Sequence, residues 1–267
     1  MRTSMGIYQK LFSTLNRPAL IPFFVIGDPE EQLSLELVKT AIDAGADVLE
    51  LGIPFSDPVA DGPTIQKADI RAMQAGMTPA KALNFIKKVT DYKPLPVGLL
   101  VYYNLIFQYG IEAFFADFKA AGGTSVLVAD LSIDDADEIV PAATAAGLET
   151  VFMATPNTTD KRIRKISEKT TGFIYAVSLM GTTGERSVLS EKIKPLTERL
   201  KSLSDKPVCV GFGISSPQHA RQVAAAGADG VIIGSRIINI IEENLKNPAA
   251  MKSQIKSFIE SIKNALS

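Results

Sequence analysis

Glu50 stands in the middle of an apolar run, Val48-Leu49-Glu50-Leu51-Gly52-Ile53, and is followed directly by a loop rich in Pro, Asp and Gly that carries Asp57 and Asp61 before it ends at Pro63. A carboxylate inside an apolar run loses water, which is costly unless the group is paired or used. The same burial raises its pKa toward the range useful for general acid/base catalysis. Glu50 is therefore either a catalytic acid/base or a structural carboxyl bonded to backbone or to a neighbouring strand. Asp57 precedes Pro58 and Asp61 precedes Gly62, so each is either a turn former or a second acid for the same chemistry. Asp130 ends another apolar run and is either a third carboxylate of the same site or, the reading favoured here, a cap for a helix beginning near Ile133. The remaining chemistry-bearing types are scarce. With one histidine, His219, and one cysteine, Cys209, the chain has no internal disulfide and no His-rich metal set, and Ser-His-Asp and Cys-His schemes lack a well-placed imidazole. Cys209 reads as a small core residue and His219 as a residue of an outer helix. Tyr102, Tyr103 and Tyr175 lie in or at the ends of apolar runs, where they either bound an aromatic pocket or pack.

A second constellation is glycine. Gly181-Thr182-Thr183-Gly184, Gly211-Phe212-Gly213-Ile214-Ser215-Ser216 and Gly234-Ser235 each lie between an apolar run and a helical pattern. Bare backbone N–H groups, hydroxyls and the positive ends of the helices that follow are the components of a phosphate cradle.

Elements must bring these groups together, and a repeated joint identifies them. Asp43-Ala-Gly-Ala-Asp-Val48, Ala120-Ala-Gly-Gly-Thr-Ser-Val126, Ala145-Ala-Gly-Leu-Glu-Thr-Val151 and Ala225-Ala-Gly-Ala-Asp-Gly-Val231 each end a helix on glycine and start a β-branched run. Eight runs read as continuously apolar strands covered on both faces: Ala19–Ile26, Val48–Ile53, Pro96–Tyr103, Ser125–Ala129, Thr150–Ala154, Phe173–Ser178, Val208–Gly211 and Gly230–Ile233. Helical patterns lie between them: Glu31–Ala44, Pro79–Asp91, Ile111–Ala121, Ile133–Ala146, Asp160–Lys169, Glu191–Leu203 and Pro217–Ala226. Eight βα units predict an α/β chain of 267 residues folded as a single domain, a (β/α)8 TIM barrel, with extra helices at the N-terminus (Gly6–Leu15) and C-terminus (Ser235–Leu266). In such a barrel the loops at the C-terminal ends of the strands hold the site, which is where Asp61 and the glycine tips fall.

Lys+Arg of 28 against Asp+Glu of 29 gives a net charge of −1, without the basic field that nucleic-acid binding requires. The longest nearly apolar stretch, Pro94 to Phe107, is too short and broken to span a bilayer, and Met1 to Gly6 lacks a charged-then-apolar export pattern, so the expected location is cytoplasmic.

The run from Leu49 to Pro63 resembles the signature of the tryptophan synthase α-subunit family. The likeness extends to Pro22-Phe23, Gly27-Asp28-Pro29, Thr64-Ile65-Gln66, Tyr102 with Asn104, Asp130-Leu131, Thr183-Gly184, Gly211 to Ser216 and Gly234-Ser235 in order. The resemblance implies a lyase that splits indole-3-glycerol phosphate into indole and glyceraldehyde 3-phosphate. By the same resemblance Glu50 is the general acid/base and Asp61 accepts the indole N–H. Phe23, Leu100 and Phe212 line the indole pocket, with Tyr102 and Tyr175 at the site, and Thr183 holds the Asp61 loop. Gly184, Gly213, Gly234 and Ser235 hold the phosphate. The implied partner is a β subunit, in an α2β2 heterotetramer, which carries pyridoxal phosphate; no cofactor is expected in this chain. Its contacts are expected on the Asp57 loop and after the third and fourth strands, where Leu105 and Ser132 replace prolines usual in the family. Val25 and Thr182 are milder departures from the family pattern. Gly181 to Ser190, poor in anchoring apolar residues, is expected to form a lid.

Rival barrel chemistries fit less well. A Schiff-base aldolase and indole-glycerol-phosphate synthase need a strand-borne lysine, and a metal-dependent epimerase needs histidine ligands inside the barrel. A reading of a different class is a non-catalytic phosphate-binding barrel that activates a partner enzyme.

Overall fold

In the computed structural model the described residues are 5–177, 188–211 and 213–267, with side chains at 188–192 left out. Helix α1 (Ile7–Thr14) precedes β1 (Ala19–Val25), α2 (Glu31–Asp43) and β2 (Leu49–Gly52). Two helices, α3 (Pro63–Gln74) and α4 (Pro79–Tyr92), lead to β3 (Val97–Val101). Two more, α5 (Tyr103–Tyr109) and α6 (Ile111–Ala120), lead to β4 (Ser125–Val128). Then come α7 (Ile139–Ala145), β5 (Glu149–Thr150), β6 (Phe152–Ala154), α8 (Asp160–Lys169), β7 (Ile174–Val177), α9 (Val188–Leu203), β8 (Val208–Gly211), α10 (Pro217–Ala225) and β9 (Gly230–Ile233). The described chain ends in α11 (Ser235–Glu243) and α12 (Pro248–Leu266).

Among the described residues every strand pair is parallel, in the order β5-β4-β3-β2-β1-β9-β8-β7-β6. The two ends of that order, β5 and β6, are successive pieces of one extended segment interrupted at Val151. The first piece pairs with β4 and the second with β7, which brings the sheet round into the expected barrel. One apolar layer fills the space between strands and helices, including Leu37, Phe85, Phe114, Ile237 and Ile259. A second fills the lumen, where Ile21, Val48, Leu127, Phe173 and Cys209 meet Tyr8 of α1. Tyr8 plugs the lower end, its hydroxyl 2.8 Å from Ser125 Oγ and its ring edge-on to Phe173. Cys209 is buried and free. No helix among the described residues is long and apolar enough to cross a membrane.

Several boundaries differ from the sequence expectation. The third strand ends at Val101 instead of Tyr103, because Tyr102 and Tyr103 open α5, whose first N–H (Tyr103) is taken by Asp130 Oδ1 at 2.8 Å. Asp130 is thus a cap, but for α5 and not for the segment near Ile133. The helix expected over Ile133–Ala146 starts only at Ile139. Ser132 Oγ accepts the Asp134 N–H, Asp134 pairs with Arg162 and Asp137 pairs with Lys169, contacts that compete with helix formation. The expected Ser235–Leu266 stretch is divided at Asn244–Asn247, where the Asn247 side chain accepts the Ala250 N–H and Pro248 occupies the first turn of α12. Glu149 adds a second carboxylate to a strand. It lies at the lower end, accepting the Ile7 N–H, far in function from Glu50. The expected lid, Gly181 to Ser190, falls outside the described residues up to 187, while 188–190 belong to α9.

Asp28, after β1, is fully buried against Arg71 of α3 in a two-pronged ion pair, Nε–Oδ1 2.7 Å and Nη2–Oδ2 2.9 Å. That pair fixes the helix following the Asp61 loop to the barrel rim. Arg71→Leu leaves the Asp28 charge buried without a partner, and urea unfolding is expected to show a loss of about 3–5 kcal/mol; a loss below about 1 kcal/mol contradicts this role.

Candidate active site

Glu50 is the second residue of β2, in register with Phe23 on β1 and Gly98 on β3. Parallel strands alternate their side chains between lumen and helix layer, so Glu50 shares the inner face with Phe23. It is only 5% exposed. Burial raises its carboxyl to about 8, and the negative charge of Asp61 pushes in the same direction. Near neutral pH Glu50 therefore holds a proton.

Asp61 is placed by the loop after β2. Its N–H donates to the Pro58 carbonyl at 3.0 Å, and Gln66 of α3 reaches back from its Nε2 to the Asp61 carbonyl at 2.8 Å. The Tyr102 hydroxyl donates to Asp61 Oδ2 at 2.6 Å and accepts the Ala60 N–H at 3.1 Å, while the Tyr102 ring stacks on Phe55 at 5.0 Å. Burial raises the Asp61 pKa and the Tyr102 bond opposes that rise. The result is two acids of unlike character in one enclosure: a protonated donor on a rigid strand and a carboxylate held by a phenol. Such a pair can give a proton to a carbon while stabilising positive charge nearby.

The two acids open into a cavity of about 350 Å3, within the range of small-molecule sites. Phe23, Leu100, Ala129, Met153, Tyr175 and Ile232 supply its apolar wall. Gly213, Ser215, Gly234 and Ser235, after β8 and β9, supply backbone and hydroxyls. Phe23 fits because its strand neighbours lack side chains: a Cβ on Gly52 would stand 2.9 Å from its ring, and one on Gly234 3.1 Å. Gly213 has φ +75, a conformation that favours glycine, and His219 of α10 donates from Nδ1 to the Gly213 carbonyl at 3.1 Å. The single histidine thus braces the loop after β8.

The structure brings Phe23, Glu50, Asp61, Leu100, Tyr175, Gly213, Gly234 and Ser235 into this cavity and places Tyr102 directly behind Asp61. Thr183, Gly184 and Phe212 lie outside the described residues. Asp57 is exposed and does not line the cavity, and Tyr103 turns outward to Glu138 at 2.9 Å. The site also holds polar residues that the sequence does not assign to it. Arg236 and Asn239 line the cavity from α11, and their three-residue spacing behind Gly234-Ser235 was the available signal. Asp69 of α3 is buried behind the loop, one oxygen without a partner, its pKa raised to about 8 by burial and by Asp61 and Asp28. It interrupts the buried stripe of its helix, Ile65, Ala68 and Ala72, so the sequence gives no signal for it. Among the described residues no cluster of three or more His, Cys, Asp or Glu could hold a metal ion.

The raised Glu50 pKa makes folding pH-dependent. Its ordinary value, 4.5, is that of the unfolded chain, so between about 4.5 and 8 the native state holds a proton that the unfolded state has released, and stability falls as pH rises through this window. Glu50→Gln removes this contribution. The gap in thermal midpoint between variant and parent is expected to shift in favour of the variant from pH 5 to pH 8; a constant gap means that Glu50 is not protonated in the native state.

Comparison with known proteins gives a consistent picture. Residues 10–267 match the family described as Tryptophan synthase alpha chain. A tryptophan synthase alpha chain of Methanothermobacter thermautotrophicus is 43% identical, over 97% of this chain and 96% of its own length; one of Photobacterium profundum is 42% identical, over 98% of each. Among solved structures, subunit alpha of Legionella pneumophila superposes with a TM-score of 0.91 at 32% identity, covering 98% of this chain and 99% of its own. A chain of the Pyrococcus furiosus a2b2 complex gives 0.87 at 39%, covering 93% and 98%. With the match running almost end to end and Glu50, Asp61, Gly213 and Gly234 gathered at one mouth, the chain belongs to the tryptophan synthase alpha chain family.

Proposed function

We propose that this chain cleaves indole-3-glycerol phosphate by a retro-aldol step, and the observation that carries the reading is a protonated Glu50 beside Asp61 in an aromatic-walled cavity. The indole lies against Phe23, Leu100 and Tyr175, with its N–H toward Asp61. Glu50 gives its proton to ring C3, and Asp61 stabilises the positive charge that reaches the ring nitrogen. The Glu50 carboxylate then takes the proton of the hydroxyl on the adjoining glycerol carbon. That carbon becomes an aldehyde, the carbon–carbon bond breaks, and its electron pair returns to the ring to restore neutral indole. Glu50 ends protonated as it began, now carrying the proton of the hydroxyl, while its first proton stays on indole C3. Gly213, Gly234 and Ser235 hold the phosphate through N–H and hydroxyl donors, with Gly184 assigned to the same site, and Thr183 to the Asp61 loop, by the family resemblance.

No lysine lines the cavity among the described residues, which leaves a Schiff-base route without its nucleophile. Phosphorylated metabolites carry charge that keeps them inside cells, in line with a cytoplasmic enzyme. The partner is a β subunit in an α2β2 assembly, with pyridoxal phosphate assigned to that subunit. Val59 and Phe107 stand 81% and 57% exposed on the loop after β2 and on α5, where that contact is expected. Ser132, where the family resemblance implies a proline, accepts from Arg162 Nη2 at 2.7 Å, a bond a proline could not accept through its side chain.

The purified chain is expected to release indole from indole-3-glycerol phosphate. Glu50→Gln is expected to lower kcat at least about 100-fold with the fold retained, and Asp61→Asn to lower kcat more than it raises KM. A Glu50→Gln enzyme with half the parent rate refutes the acid/base role. A parent that binds the substrate and raises β-subunit activity without releasing indole identifies a non-catalytic activator.

A further inference from the structure

The cavity poses an electrostatic problem for the ligand proposed above. It contains two acids, and a phosphate monoester brings up to two further negative charges into the same low-dielectric enclosure. Backbone N–H groups and a serine hydroxyl offer partial charges only. Among the described residues that line it, one carries a full positive charge: Arg236.

Arg236 follows Gly234-Ser235 directly, in the first turn of α11. Arg236 and Asn239, three residues apart, both line the cavity, so the wall is a face of α11 and not merely its tip. The guanidinium lies along that face and reaches Glu243, Nη1 to Oε1 3.0 Å. Both side chains are in contact with water, 34% and 54% exposed, and an ion pair of that kind contributes little. The cation is thus held loosely, by a partner outside the cavity.

We propose that Arg236 is a further binding and specificity residue: its guanidinium leaves Glu243 and takes the phosphate ester of the substrate, converting a cradle of partial charges into one with a full countercharge. The inference rests on the assignment of a phosphorylated substrate to this cavity. The planar donor fork of arginine fits two phosphate oxygens, and only a ligand bearing that anion can draw it from Glu243. The residue therefore favours the phosphate ester over the same indole compound without phosphate, while the proton transfers remain with Glu50.

The test compares parent, Arg236→Ala and Arg236→Lys by calorimetric titration with indole-3-propanol phosphate and with indole-3-propanol, alongside KM and kcat for indole-3-glycerol phosphate. Arg236→Ala is expected to raise the Kd for the phosphate ester and the KM about 10-fold or more, with kcat falling far less and the Kd for indole-3-propanol unchanged. Arg236→Lys, which restores the charge without the fork, is expected to recover part of that loss. A Kd for the phosphate ester within twofold of the parent in the alanine variant, an equal loss for both ligands, or a lysine variant no better than alanine each overturns the proposal. A parent that fails to bind the phosphate ester or to release indole refutes the substrate assignment instead, so the two failures are separable.

Discussion

The burial of Glu50 beside Asp61 is the constraint on which the rest of the site depends. A carboxyl on an inner strand of a closed barrel has little water, and a second acid at the same mouth adds its negative charge, so Glu50 keeps its proton near neutrality. The two acids differ because their supports differ. Glu50 is carried on β2, between β1 and β3, whereas Asp61 sits on a loop and is held as a hydrogen-bond acceptor by Tyr102. The Tyr102 hydrogen bond is what opposes the burial-driven protonation of Asp61 among the described residues. Two neutral acids would lack the carboxylate needed to stabilise a cationic ring.

Support for this arrangement comes from several elements. The Phe55–Tyr102 stack ties the loop after β2 to the start of α5, and Asp130, after β4, caps that helix. The Asp28–Arg71 pair anchors α3, and Gln66 of the same helix grips the Asp61 backbone. On the opposite side of the mouth, His219 fastens the Gly213 carbonyl. Loops that carry reacting groups are thus held by contacts that the groups themselves do not make, as preorganised electrostatic stabilisation requires.

The barrel was legible in the sequence because its strands are covered on both faces and its helices end on repeated alanine-glycine joints; both signals are local. The acids were legible because a glutamate inside Leu49–Gly52 violates an apolar run. What escaped depends on distant partners. Helix α5 has no capping side chain of its own and takes Asp130 from 27 residues away, so Val101-Tyr102-Tyr103 read as continuing strand. Helix α3 buries Asp69 among its apolar positions, which masks its stripe, and it follows a loop whose Pro, Asp and Gly dominated the local pattern. The late start of the helix after Asp130 reflects ion pairs to Arg162 and Lys169, residues whose proximity only the fold creates.

The most direct measurement of the central claim is the pH dependence of kcat/KM for indole release from indole-3-glycerol phosphate. If a protonated Glu50 begins the reaction, the rate constant declines on the alkaline side with an apparent pKa near 8, a value that belongs to Glu50 and Asp61 as a coupled pair. A profile that keeps rising through pH 8 and levels off above it would mean that the carboxylate form of Glu50 starts the chemistry, and would contradict the account.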